Sequence, residues 1–153
     1  MRRGTWSRKP LKQAKRLSRR KERLESIQHL KMRLWTLLSE YVRRLGKGVC
    51  FTCGKVAHWR ELDCGHFRHN SERNSQLGGN ELWWFLKNFA SQCFTCNRMK
   101  SGKLDVFALK LETKYGYGIL QEINKKYHTP KKWTREEVSE KIAWFEKELA
   151  DML

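Results

Sequence analysis

Apolar residues along the chain change period several times, and each change marks an element. Over residues 24–46, Leu24, Ile27, Leu34, Leu38, Tyr41 and Leu45 recur at three- and four-residue steps, and Gly46 supplies a stop. This predicts an amphipathic helix. Leu30, Trp35, Leu37 and Val42 widen the stripe beyond a coiled-coil seam, although Lys31 interrupts it. A helix packed on its own domain is therefore expected, with a homodimerisation helix as the sharper alternative. Residues 62–67 predict a short strand. Residues 82–86, an apolar run with Trp83 and Trp84, read as a second, buried strand. Between them, residues 70–80 are rich in Asn, Ser and Gly and read as a loop. Residues 105–115 and 119–127 predict helices broken at Gly116-Tyr117-Gly118, with Pro130 ending the region. Thr134 and Glu137 form a capping-box pattern, and Val138, Ile142, Phe145 and Leu149 share one face of the last helix. The expected class is α+β and mainly helical.

Charge changes this picture. The 153 residues carry 33 basic against 16 acidic side chains, a net charge of +17, which predicts a polyanionic partner. Nucleic acid stands ahead of an acidic membrane surface. No apolar run approaches the roughly 20 residues of a membrane span. The N-terminus is basic but has no apolar signal core, so a cytoplasmic protein is expected. Residues 1–23 hold Arg2, Arg3, Arg8, Lys9, Lys12, Lys15, Arg16, Arg19, Arg20, Lys21 and Arg23 against the single acid Glu22. Such a stretch cannot bury a core and is expected to be disordered when free. It reads as an arm for the DNA backbone, or else as a solubilising tail.

The cysteines carry the next signal. Cys50-Phe51-Thr52-Cys53 and Cys93-Phe94-Thr95-Cys96 are two Cys-x-x-Cys pairs, the spacing that closes a tetrahedral thiolate zinc site. Four thiolates leave no open position for water, so the zinc should be structural. The fifth cysteine, Cys64, reads as a small buried apolar residue. An odd count and metal spacing suit a reducing compartment better than a disulfide framework.

Between and after the pairs come Asp63-Cys64-Gly65-His66-Phe67, then Asn88 five residues before Cys93, then Asn97 directly after Cys96. This order resembles the skeleton of the HNH (ββα-metal) nucleases and implies a zinc-stapled core over residues 47–103, followed by a helical region over 104–153. A metal-binding helix is expected to begin at Cys96, and Gly102 to end or interrupt it. His66 is the candidate general base, because imidazole can take a proton from water near neutral pH. His58 and His69 compete with it. Asn97 stands where many HNH enzymes have a histidine ligand; an amide oxygen suits a hard cation such as Mg²⁺. The alternative for Asn97 is a helix cap. The phage resolvases of the endonuclease VII type also place Asn there. Asp63 is the candidate carboxylate ligand, against a turn role. It lies three residues before His66, so alternation puts the two on opposite strand faces unless a bulge at Gly65 intervenes. Asn88 is the middle letter of the motif and implies a loop-fixing role. Arg68, Arg98 and Lys100 are placed to meet phosphate.

The same segments, with Gln92, Lys100-Ser101-Gly102, Leu109 to Ile123 and Trp133-Thr134, resemble the phage lambda NinG (Rap) recombination endonuclease family over residues 47–150. The resemblance implies a structure-specific DNA endonuclease acting on Holliday junctions and D-loops, with a four-cysteine zinc site and a catalytic Mg²⁺ or Mn²⁺. Rival readings are an HNH nicking or packaging-associated nuclease on duplex DNA, and a non-catalytic zinc module that binds DNA.

Overall fold

Ser26 accepts a hydrogen bond from the His29 N–H and starts helix α1 (Ile27–Leu45). The computed structural model describes residues 26–69 and 79–152. The arm of residues 1–23 and most of the 70–80 loop lie outside the described residues. On α1, Leu34, Leu38, Tyr41 and Val42 are buried. Their cover is the last helix, α4 (Arg135–Asp151), which contributes Val138, Ile142 and Phe145. Tyr41 meets Phe145 edge-on at 5.4 Å. The apolar stripe of α1 is thus used inside the chain. Lys31 does not break it, because its ammonium lies 4.7 Å over the Trp83 ring. The Thr134–Glu137 capping box is present, with both reciprocal hydrogen bonds made.

Strands β1 (Leu62–His66) and β2 (Phe89–Cys93) form a two-stranded antiparallel sheet with Leu62 opposite Cys93 and His66 opposite Phe89. One face, with Cys64 and Phe89, joins the α1–α4 core. Ala90, together with Phe67 just past β1, packs on a second core made by Leu82, Phe107, Leu111, Ile119 and Ile123. Phe107 and Leu111 come from α2 (Leu104–Tyr115), and Ile119 and Ile123 from α3 (Ile119–His128). The structure is a mainly helical α+β fold with the small sheet between two apolar clusters.

Two expectations are corrected. Residues 82–86 are not a strand but part of two 3-10 turns, Glu81–Trp84 and Leu86–Asn88. Buried Asn80 caps the first, its side chain accepting the Leu82 N–H at 3.1 Å. The partner of β1 lies later, directly before the second cysteine pair. Nor does a helix run on from Cys96. Thr95–Met99 is a single π turn, and Ser101, Gly102 and Lys103 follow with φ of 45, 81 and 47°. That left-handed backbone cannot continue a right-handed helix, so α2 begins only at Leu104.

Asn80 also joins distant segments. Its amide donates to the Tyr127 carbonyl at 2.9 Å, and Trp133 Nε1 donates to the Asn80 carbonyl at 3.0 Å. No helix among the described residues is long and apolar enough to cross a membrane.

Burial ranks the consequences of truncation. Leu38→Ala, at a fully buried site, should cost about 2–5 kcal/mol. Thr134→Ala should cost about 1 kcal/mol through loss of the cap. Leu45→Ala, at a half-exposed site, should stay within about 0.5 kcal/mol. Denaturant titration of the three variants checks the order.

Candidate metal centre and catalytic site

The first knuckle is a turn closed by Gly54 N–H donating to the Cys50 carbonyl at 2.9 Å. Gly54 has φ of 75°, which a residue without Cβ adopts at no cost. The second knuckle leaves the end of β2 and enters the π turn. Together they bring Cys50, Cys53, Cys93 and Cys96 so close that all four sulfurs lie within 4.8 Å of one another. Four sulfurs at about 2.3 Å from one zinc stand about 3.8 Å apart in a tetrahedron. Cys53 Sγ and Cys93 Sγ are 3.8 Å apart. The donor set therefore fits one metal ion of that size and softness. Burial opposes ionisation of Cys50, but backbone N–H groups of Cys93 and Cys53 and the Thr52 hydroxyl outweigh it and hold the thiol down to about 6. Burial pushes the neighbouring Cys96 thiol the other way, up to about 12, so the bare cluster favours one anionic sulfur at Cys50 and not four.

Behind the knuckles stands buried Gln92. Its Nε2 donates to Thr52 Oγ1 at 3.1 Å and to the Gly102 carbonyl at 2.8 Å, tying first knuckle, strand and post-knuckle segment together. Gly65 is required by this side chain, since a Cβ there would collide with Gln92 Oε1.

Asp63 and Asn97 come together. Asn97 Nδ2 donates to Asp63 Oδ2 at 3.0 Å across 34 residues of sequence, and Arg98 donates to the same carboxylate from Nε at 3.1 Å. Burial raises the carboxyl, but these two donors win and hold it below its ordinary value, so Asp63 is charged at neutral pH. A carboxylate and an amide suit a hard cation once the amide is turned to present its oxygen. Arg98, whose side chain is largely exposed, then has to give way.

His66 is elsewhere. The β1–β2 register is regular, without a bulge at Gly65. Alternation therefore leaves His66 on the face opposite Asp63. The imidazole stacks on Trp35 of α1 at 5.2 Å with 14° between planes, beside Phe89 at 5.0 Å and His69 at 5.4 Å. Burial, and secondarily His69, lowers it to about 4, so the ring is neutral at pH 7. Asn88, fully buried, fixes the turn that follows. Its Oδ1 accepts the Arg68 N–H at 2.9 Å, and its Nδ2 donates to the Arg68 carbonyl at 3.0 Å.

Of the remaining candidates, Arg68 lies 3.9 Å over the Tyr127 ring and donates to Asn124 at 2.7 Å. Lys100 is exposed. His58 serves its own turn, with Nδ1 accepting the Arg60 N–H. The arm cations from Arg2 to Arg20 lie outside the described residues. Sequence reading missed Trp35, Thr52 and the structural use of Gln92. The adjacency of Thr52 and Gln92 to zinc-spaced cysteines was an available signal; nothing local marked Trp35 as the partner of His66.

These features define a small, mainly helical α+β protein with a four-cysteine cluster that could hold a metal ion. The family model described as Bacteriophage Lambda NinG protein matches residues 3–152, and the chain belongs to that family. Over 105 residues it is 32% identical to protein ninG of Escherichia phage lambda, covering 67% of this chain and 47% of that protein. It is 30% identical over 105 residues to the ninG proteins of Escherichia phage 933W and Salmonella phage P22, with the same shares covered. The chain thus spans about half the length of the curated relatives it matches. No solved structure matches it.

The cluster should hold one metal ion per chain by elemental analysis, expected to be zinc. Cys50→Ser or Cys93→Ser should lose the ion together with the cooperative unfolding transition, since binding and folding are coupled in such sites. The half-buried His66 sets a pH dependence. Between about pH 6.5 and 4 the unfolded chain takes up a proton at His66 that the folded chain refuses. Stability is therefore present above this window and lost as pH falls through it, by at most about 3 kcal/mol. Denaturation midpoints at pH 7 and pH 4.5 should differ less in His66→Gln than in the parent.

Proposed function

We propose that this chain is a metal-dependent DNA endonuclease of the HNH kind that cuts branched recombination intermediates such as Holliday junctions and D-loops. The observation that carries the reading is the Asp63–Asn97 contact, which joins a β1 carboxylate to the amide directly following the second cysteine pair, with Arg98 beside them. Asn88 adds support by clasping the turn after His66. The excess of positive charge supplies affinity for the phosphate backbone without reading bases.

In this reading zinc is held by Cys50, Cys53, Cys93 and Cys96 and keeps the knuckles closed. Asp63 and Asn97 hold Mg²⁺ or Mn²⁺, which when bound polarises the scissile phosphate and stabilises the leaving 3′-oxygen. His66, neutral at pH 7, takes the proton of the attacking water. To do so its ring has to leave Trp35 and reach round the end of β1. Arg68, Arg98 and Lys100 steady the phosphates on either side. Products carry 5′-phosphate and 3′-hydroxyl ends.

A second reading, a zinc module that binds DNA without cutting it, is favoured by one observation. Asp63 is engaged by Asn97 and Arg98 while His66 is stacked on the other face. Incubating the protein with a synthetic four-way junction, matched linear and nicked duplexes, and Mg²⁺ or Mn²⁺ separates the two. Cleavage confined to the junction is expected, and His66→Ala should reduce it by about 10²–10⁴-fold while leaving binding intact. Cleavage by His66→Ala at the parent rate, with loss in His69→Ala, would transfer the proton to His69. Binding with no metal-dependent cutting of any substrate would leave the non-catalytic module.

A further inference from the structure

Three arginines converge on one tryptophan at a place that the proposed chemistry does not use. Trp59 opens the 3-10 turn Trp59–Glu61 just ahead of β1. The guanidinium carbons of Arg44 and Arg60 each lie 4.7 Å from the centre of its ring, and that of Arg43 lies 5.4 Å away. Arg43 and Arg44 belong to the last turn of α1. A groove of about 480 Å³ opens beside Trp59 and is lined by Arg44, Lys47 and His58, with Leu45 and Met152.

Neutralisation of this charge is partial. Arg44 pairs with Glu40 at 2.6 Å. Arg43 Nε donates to the uncharged Ser39 carbonyl at 3.0 Å. Arg60 is exposed and makes no ion pair among the described residues. Like charges this close repel one another unless an anion lies among them. An indole engages the flat face of a guanidinium and leaves its N–H edge available. That edge is a planar fork that matches two phosphate oxygens. Arg43 further links the cluster to the candidate cation site, since its charge acts on Asp63.

We propose that Arg43, Arg44 and Arg60, gathered on Trp59, form a second nucleic-acid contact: a clamp for the sugar–phosphate backbone flanking the Asp63–Asn97 site. The proposal rests on the reading that the partner is nucleic acid, but it needs binding only, not cleavage. The ligand is a phosphodiester chain rather than free phosphate, because three guanidiniums offer more than one phosphate-binding fork and Lys47 adds a further cation at the groove.

The test is anisotropy of a labelled duplex and a labelled four-way junction titrated with the full chain across a salt series, without added divalent metal. Arg60→Ala should weaken both about tenfold and lower the log–log salt slope by about 0.9. Arg60→Lys keeps the charge but loses the fork, and should recover only part of the affinity. Trp59→Leu keeps every charge but releases the guanidiniums, and should also weaken binding, whereas Trp59→Phe should restore it. Should Trp59→Leu not fold, as judged by circular dichroism, the two Arg60 variants decide, since that side chain is exposed. Parent-like affinity and salt slope in Arg60→Ala, with weakening in Lys100→Ala, would overturn the clamp and leave the nucleic-acid reading standing. Displacement of DNA by millimolar inorganic phosphate at matched ionic strength would also overturn it, in favour of an ion site. A parent chain that binds neither DNA would remove both readings. One that binds through the clamp yet leaves the junction uncut once Mg²⁺ or Mn²⁺ is supplied would remove only the nuclease.

Discussion

The antiparallel pairing of β1 with β2 is the constraint on which the other arrangements hang. With only five paired positions on each strand, a slip by one residue would turn every side chain to the other face. Both ends are held. At one end Cys93 of β2 lies in the cysteine cluster opposite Leu62. At the other, Asn88 grips both backbone groups of Arg68 while its own carbonyl accepts the Phe67 N–H at 2.8 Å. Between them Gly65 and Gln92, diagonal neighbours on one face, fit together so closely that the register is written in their shapes. Asp63 faces Asn97, and His66 faces Trp35, because this ladder permits nothing else.

Different forces thus serve the two faces. On one, polar groups meet: a charged carboxylate, an amide and a guanidinium, near the surface and able to exchange partners. On the other, an imidazole is kept neutral by aromatic neighbours. A general base and a cation site work together when water can stand between them. In the proposed reading that meeting depends on the end of β1, where His66 is the last paired residue before the turn that Asn88 fixes.

Much of this was legible in the sequence, for physical reasons. The cysteine spacing names its chemistry because thiolate ligands need a tight turn. The stripe of α1 and the capping box of α4 are local signals read directly from periodicity. The opposite-face problem of Asp63 and His66 follows from simple alternation, and the structure keeps it. Other features were not legible. Gly65 reads as a bulge signal, but its missing side chain makes room for Gln92, 27 residues away in sequence. The run at 82–86 has strand composition, yet buried Asn80 turns it into 3-10 geometry. The chain after Cys96 has a helical look, but three successive left-handed residues deny it. The first miss is a tertiary contact, and the other two are local backbone conformations that composition does not reveal.

The pairing of α1 with α4 has a consequence for the order in which the chain can fold. Leu34, Leu38 and Tyr41 are covered by Val138, Ile142 and Phe145, roughly a hundred residues later. Emerging from a ribosome, α1 first meets Cys64 and Phe89 of the sheet, and its α4 cover arrives only once residues 135–151 have been made. At about 5–20 residues per second that wait lasts several seconds. During it an amphipathic helix follows a strongly basic segment. Closing so long a loop is a slow step compared with forming either helix. Chains halted before α4 would therefore present an α1 stripe covered only in part, and chaperones that recognise exposed leucine and tyrosine would meet this protein at its first helix.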